Sequence, residues 1–315
     1  MVNQELLKRY KEYLLIIKNL SKGTYGAYSR HLEEFVEFIE KNGGPGGEED
    51  LLKIKRGDVE AWLKHLFYEK RNSDSVRGGK LTSLKCFYDF LVYDGLLPAN
   101  SIKRIPGPRG KKKKPRKFTT DQLKKIFSGP DPGSDLGVRD LAILSVFYGA
   151  GLRVSEVSGL KMKDLQFNTE NKIRLFVFGK GAKERLVPLD REPSDKLKNW
   201  LVLRDKYVRS NKHEEIVFLT MSNNLQGTKL SSVGLSNILK KYADMVKMKG
   251  SDVFLHKLRA TFATDLYDQC KDIMLVSALM GHESIETTKQ YIAISETAIE
   301  KTKINNKRWK DIYAN

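Results

Sequence analysis

Residues 101–117 read Ser-Ile-Lys-Arg-Ile-Pro-Gly-Pro-Arg-Gly-Lys-Lys-Lys-Lys-Pro-Arg-Lys. Proline and glycine forbid regular structure across this run, and its like charges repel one another, so it is expected to be an extended linker. The chain on either side must then fold around its own core. Its 315 residues suffice for two domains, and with 40% hydrophobic residues each can bury one. We expect a domain over 1–108, a basic linker over 109–117 and a second domain over 118–315. Composition alone also fits a solvated tether or a nuclear-import signal. Between two basic domains, a strap lying along phosphates is the stronger reading.

The first part reads as four helices. Leu6, Tyr10, Tyr13, Leu14 and Ile17 recur at helical spacing; Ser21 to Thr24 opens a second helix with Tyr28, Leu32, Phe35, Phe38 and Ile39 on one face. Asn42-Gly-Gly-Pro-Gly-Gly47 is a loop. A third helix carries Val59, Trp62, Leu63 and Leu66, and a fourth Val76, Leu81, Leu84, Phe87, Tyr88 and Leu91 before Asp94-Gly95 stops it. Four helices with one apolar face each make a small bundle. In the second part, Thr120 or Asp121 caps a short helix, and another helix runs through Leu141, Ile143, Leu144, Val146 and Phe147 to the glycines at 149 and 151. Ile173–Phe178 and Arg185–Leu189 are strand-like around a glycine-bearing hairpin turn, Ile216–Leu219 is a candidate third strand, and the rest is helical. The fold class is mainly α with a small antiparallel β-sheet.

A net charge of +18 points to a polyanion as partner. No apolar run approaches transmembrane length, and the N-terminus reads as an amphipathic helix rather than a signal peptide. Two cysteines, Cys86 and Cys270, lie far apart in helical stretches and read as buried free thiols in a reducing compartment. Nucleic acid in a cytoplasmic setting is the better partner than a membrane surface.

Five separated motifs then follow in order. Arg153 sits in Gly-Ala-Gly-Leu-Arg-Val-Ser-Glu, Lys180 in Gly-Lys-Gly-Ala-Lys-Glu-Arg, His256 and Arg259 in His-Lys-Leu-Arg, and His282 in Met-Gly-His. Tyr291 closes Ser-Ile-Glu-Thr-Thr-Lys-Gln-Tyr, nine residues after His282. Planar guanidinium groups suit the oxygens of a phosphodiester, because each offers paired N–H donors and keeps its charge. A lone arginine is ordinarily a surface ion pair. Arg153, however, follows a glycine turn at a helix start, where its charge opposes the helix dipole unless an anion is present. Glu156, one turn on, is placed to brace it. His256 and Arg259, three apart, share a helix face. A buried structural histidine is the ordinary alternative for His256 or His282, and neither has a cysteine or carboxylate at metal-ligand spacing.

The ordered set resembles the tyrosine site-specific recombinases of the phage integrase family, in their Xer-like branch, and the resemblance covers nearly the whole chain. It implies a SAM-like four-helix core-binding domain followed by a catalytic domain. It implies that Arg153 and Arg259 clamp the scissile phosphate, that Tyr291 is the nucleophile, and that His256 or His282 takes its proton. Lys180 would protonate the leaving 5′ oxygen; its neighbours Lys183 and Arg185 are the rivals for that role and rank instead as phosphate contacts. DNA contacts in the first domain are expected from Lys22, Thr24, Tyr25 and Arg30 on the second helix and Arg77, Lys80 and Lys85 on the fourth; a solvated helix face is the alternative for each. Cofactor and metal are expected to be absent. The implied partners are double-stranded DNA with a specific site and further copies of the chain, in a tetramer. The apolar residues Ile294, Ala298, Ile299, Ile304 and Trp309 would dock on a neighbouring protomer or pack in cis. Two positions depart from the family pattern: Ala260 stands where another histidine is frequent, and Phe254 where a proline often stands ahead of the motif histidine. Chromosome or plasmid dimer resolution is the expected role. The rivals are a mobile-element integrase, a type IB topoisomerase and a non-catalytic architectural DNA-binding protein.

Overall fold

The computed structural model describes residues 4–42, 51–108, 117–168, 172–178, 184–209, 213–222, 225–245, 255–281 and 288. The chain forms two compact units, Met1–Lys112 and Lys113–Asn315. No helix among the described residues is long and apolar enough to cross a membrane.

The first unit is built from α1 (Gln4–Glu12, continued by a wider turn over Tyr13–Ile17), α2 (Lys22–Asn42), α3 (Arg56–Tyr68) and α4 (Asp74–Tyr93). Helices α3 and α4 enter through local signals. The Ser73 hydroxyl accepts from the Val76 N–H, and the Asp58 carboxylate accepts from the Lys55 N–H at 2.7 Å. The core gathers Leu32, Phe35 and Ile39 of α2, Val59, Trp62 and Leu66 of α3, and Leu81, Leu84, Phe87, Tyr88 and Leu91 of α4. Phe35 and Trp62 meet edge to face at 5.0 Å. Val76, expected on the apolar face, is exposed instead, because it lies in the first turn of α4 ahead of the packed stretch. The start of the proline- and lysine-rich run is not free chain either. Ile102 and Ile105 are buried in this core, and the Lys85 ammonium donates to the Ile105 carbonyl at 2.6 Å. Residues 109–116 lie outside the described residues.

The second unit surrounds α6 (Asp135–Ala150), preceded by α5 (Thr120–Phe127). Ala142, Ile143, Leu144, Val146, Phe147 and Ala150 are all fully buried, the pattern of a helix covered on every side. Thr119, rather than Thr120 or Asp121, caps α5; its hydroxyl accepts from the Gln122 N–H while the Gln122 side chain takes the Thr119 N–H. The sheet holds β1 (Leu165–Phe167), β2 (Ile173–Phe178) and β3 (Glu184–Pro188), antiparallel in the order β1-β2-β3. Leu175 pairs with Leu165 on one side and Val187 on the other, so Ile173, Leu175, Val177 and Val187 line the inner face. The expected third strand at 216–219 makes only isolated bridges, from Ile216 to Lys161 and from Leu219 to Lys229; the short β1 takes the sheet position. Helices α7 (Val154–Gly159), α8 (Arg191–Arg204), α9 (Ser232–Met245), α10 (Leu255–Cys270) and α11 (Ile273–Met280) complete the unit.

Two contacts fasten the entry of this unit to α10. The Phe118 N–H donates to the Thr261 hydroxyl at 2.9 Å, and the Lys257 ammonium lies 4.3 Å from the centre of the Phe118 ring. Both cysteines are free and half-buried rather than fully buried. Burial pushes the Cys86 thiol up in pKa.

Candidate active site

Helix α6 ends at Gly151, whose φ of 59° is left-handed. A Cβ there would stand 2.2 Å from the Phe262 ring, so glycine is required both for conformation and for space. After buried Leu152 the chain turns extended at Arg153, the N-cap of α7. The Arg153 N–H donates to Glu156 Oε2 at 2.7 Å and Nη1 to Glu156 Oε1 at 2.8 Å. The carboxylate one turn on thus offsets the misfit of a cation at a helix N-terminus.

Two more arginines converge on that carboxylate. Arg185 of β3 donates from Nη1 to Oε1 at 3.0 Å and from Nη2 to Oε2 at 2.8 Å, a paired fork. Arg259 of α10 brings Nη1 to 4.0 Å from Oε2. The same three guanidinium groups cover the C-terminal end of α11. Arg185 Nε donates to the Leu279 carbonyl at 2.8 Å, Arg259 Nη2 to the Met280 carbonyl, and Arg153 Nη2 to the Gly281 carbonyl at 2.7 Å. Arg259 Nη1 also donates to the Gly151 carbonyl. Helix-terminal carbonyls lack intrahelical partners and carry the negative end of the dipole, which is why cations gather there. Gly281, at φ 60°, ends α11 beneath this cover. Burial alone would raise the Glu156 pKa; hydrogen bonds from Arg185 and Arg153 outweigh it and hold the carboxyl below its ordinary value.

Three guanidinium groups thus share one carboxylate, and they differ in access. The Arg259 side chain is 2% exposed, that of Arg185 10% and that of Arg153 36%. Arg153 presents the accessible face of a positive cluster, an arrangement suited to a phosphate and unsuited to a cation. His256 stands in the first turn of α10 with an exposed edge. Desolvation of its ring, then the charges of Arg259 and Arg153, push its pKa below 6.5, so at neutral pH it is an uncharged proton acceptor. No group of three histidine, cysteine or acidic residues among the described residues is placed to hold a metal.

The structure brings Arg153, His256 and Arg259 together. Lys180, Lys183, His282 and Tyr291 lie outside the described residues, as do Ile294 to Trp309. Arg185, expected as a phosphate contact, turns inward, each of its three nitrogens donating to Glu156 or Leu279. The strand period carries the signal for this: Arg185 pairs with Val177 in register and shares the inner face with Val187.

In the first unit, Lys22 and Arg30 of α2 are exposed without an ion pair among the described residues. Thr24 shares a 2.9 Å hydrogen bond with Ser21, and Tyr25 lies under the Lys11 ammonium. On α4 the cations are committed. Lys80 is buried against Glu34 at 2.5 Å, Lys85 is held by the Ile105 carbonyl, and Arg77 pairs with Asp74 at 2.5 Å across the Phe67 ring. For Lys80 a direct phosphate contact would first require breaking a buried pair.

Comparison with known proteins follows the same division. Residues 116–297 match the phage integrase family, and residues 7–95 match the phage integrase N-terminal SAM-like domain. The chain is 31% identical to tyrosine recombinase XerC of Syntrophus aciditrophicus over 92% of its length and 93% of that protein. It is 33% identical to XerC of Oceanobacillus iheyensis (91% and 90%), and 30% identical to tyrosine recombinase XerD of Listeria monocytogenes (98% and 97%). Among solved structures, XerH site-specific recombinase bound to palindromic difH substrate, in a post-cleavage complex, superposes with a TM-score of 0.72 at 21% identity, covering 90% of this chain and 80% of that one. A lambda integrase dimer bound to a COC′ core site gives 0.65 at 18% identity, with 91% and 94% covered. At those identities the likeness is one of fold.

Proposed function

This chain belongs to the phage integrase family as a Xer-like tyrosine recombinase, an enzyme of site-specific DNA breakage and rejoining, and on that premise we propose which of its residues perform each step. Arg153 and Arg259 hold the non-bridging oxygens of the scissile phosphate, where negative charge grows during attack. The Tyr291 hydroxyl oxygen attacks phosphorus, and its proton passes to His256 or His282. A phenol with an ordinary pKa near ~10 is ionised only about once in a thousand at neutral pH, so an adjacent acceptor is needed. The bond from phosphorus to the 5′ oxygen breaks as Lys180 supplies a proton to that oxygen, a contribution of roughly 10²–10⁴-fold. A 3′-phosphotyrosyl link and a free 5′ hydroxyl result. The 5′ hydroxyl of a partner duplex reverses the step, so the bond energy is conserved without nucleotide or metal.

In this reading residues 1–108 grip duplex DNA through Lys22, Thr24, Tyr25 and Arg30, joined by Arg77, Lys80 and Lys85 where DNA displaces their partners, and Lys183 adds a phosphate contact from the second domain. The run 109–117 follows the phosphates, and 118–315 carries the chemistry. Four copies act together on paired sites in the cytoplasm, resolving chromosome or plasmid dimers. Relatives named XerC and XerD that match this chain almost end to end support that role over mobile-element integration. The observation that carries the chemical assignment is the accessible Arg153 guanidinium, held by Glu156 and by the carbonyl immediately before His282. The test is a nicked suicide DNA containing candidate sites, incubated with chelator and run on a denaturing gel. A slow-migrating protein–DNA adduct is expected, and Tyr291→Phe is expected to abolish it. An adduct that persists in Tyr291→Phe, or that requires divalent metal, would overturn the assignment.

A further inference from the structure

Glu156 has two oxygens and three claimants. Arg185 takes both with a fork, whereas the Arg153 side chain reaches only Oε1 and spends its other terminal nitrogen on the Gly281 carbonyl. The carboxylate charge is therefore directed chiefly at Arg185, which is almost buried and commits a hydrogen bond from each of its three nitrogens to Glu156 or Leu279. Three positive groups against one negative leave the cluster with net positive charge, and Arg153 is the member through which that charge is accessible. Remove Arg185, and Glu156 keeps the Arg153 N–H on Oε2 and Nη1 on Oε1 but loses its paired fork. One acceptor position on each oxygen is thereby freed, three residues from Arg153 on the same helical turn. The shortest route to satisfying a buried carboxylate is then a bidentate pair with Arg153, which would neutralise and withdraw it.

We propose that Arg185 is a positioning residue that occupies Glu156 so that the Arg153 guanidinium stays charged and available to the scissile phosphate. The proposal rests on the reading of Arg153 as a phosphate clamp. Arg185 also ties β3 to the last turn of α11, so one side chain sets both the charge and the placement of the cluster.

The experiment compares two DNAs in the full-length protein: a suicide site with an ordinary scissile phosphate, and the same site with a methylphosphonate there. In the second, a methyl group replaces one non-bridging oxygen. The reacting centre is then uncharged and has little need of a guanidinium, although the same oxygen–phosphorus bond forms and the same 5′ bond breaks. The quantity read is the ratio of methylphosphonate to phosphate cleavage at saturating protein. Because both rates come from one preparation, any loss of folded protein cancels. Arg153→Ala, Arg185→Gln and Arg185→Lys are each expected to slow phosphate cleavage by at least about tenfold, the scale of one hydrogen bond to a charged group. Each is expected to raise the ratio by a similar factor, with DNA binding held near wild type. Arg185→Lys is expected to restore little, since an ammonium cannot form the fork. If the ratio rises for Arg153→Ala but stays at wild type for Arg185→Gln, Arg185 does not act through Arg153 and the proposal fails alone. If it does not rise even for Arg153→Ala, the clamp reading itself fails and the proposal goes with it.

Discussion

Gly151→Ala adds one methyl at the turn that delivers Arg153, and its cost can be worked from two features. The backbone holds φ at 59°, and Cβ would lie 2.2 Å from Phe262 Cδ1 and 2.8 Å from Cε1. A side chain in the left-handed region costs about 1–2 kcal/mol, and overfilling packed space costs a further ~1–3 kcal/mol. The sum, ~2–5 kcal/mol, corresponds to a fall in melting temperature of roughly 4–20 °C for a unit of this size, at about 2–4 °C per kcal/mol. The two contributions separate in a double-mutant cycle with Phe262→Ala. Without the ring only the backbone cost remains, so the two substitutions should couple by ~1–3 kcal/mol. Calorimetric melting of the four full-length proteins measures this. Effects that add to within about 0.5 kcal/mol would refute the steric half of the reasoning. Because the Gly151 carbonyl accepts from Arg259, adduct formation in Gly151→Ala should also fall at temperatures where the protein remains folded.

Glu156 is held below its ordinary pKa of 4.5 when folded, so its stabilisation is present above that value and is lost as pH falls through the lower folded one. Glu156→Gln should therefore lose stability at neutral pH and show a shallower acid limb in denaturant titrations; unchanged acid sensitivity would count against the pairing. His256 is pushed below 6.5, so adduct formation should stay flat down to about pH 6.5 and decline only beneath it. A decline centred above 6.5 would argue against an uncharged His256 as proton acceptor, and His256→Ala should remove the limb. Lys22→Ala and Arg30→Ala should each weaken DNA binding and reduce the slope of log K against log salt by about 0.9, measured by anisotropy between low and moderate salt. An unchanged slope would remove those two residues from the phosphate contacts.

Much of this was legible because it is local. The Gly151 turn, the cap at Arg153 and the brace from Glu156 all lie within six residues, where spacing fixes geometry. The apolar stripes of α2, α3 and α4 were readable for the same reason, although Val76 was assigned to the core one turn too early. What the spacing hid is long-range. Arg185 lies 29 residues from Glu156 and 94 from Leu279, and nothing in a basic hairpin announces that one of its cations turns inward. Only the period-2 match with Val187 hints at it. Lys80 was masked in the same way, since its partner Glu34 belongs to another helix. The strand expected at 216–219 failed because a short apolar run satisfies either a strand or a buried bridge, and a pairing partner decides which.

The fastening of Phe118 to α10 has a mechanical consequence. Phe118 meets Thr261 and Lys257, the two positions that bracket Arg259 on its own helix. A displacement of Phe118 is therefore delivered within one turn of Arg259, the arginine proposed to hold the scissile phosphate. On the proposed reading, any load that DNA places on the chain ahead of Phe118 falls on the helix that carries Arg259.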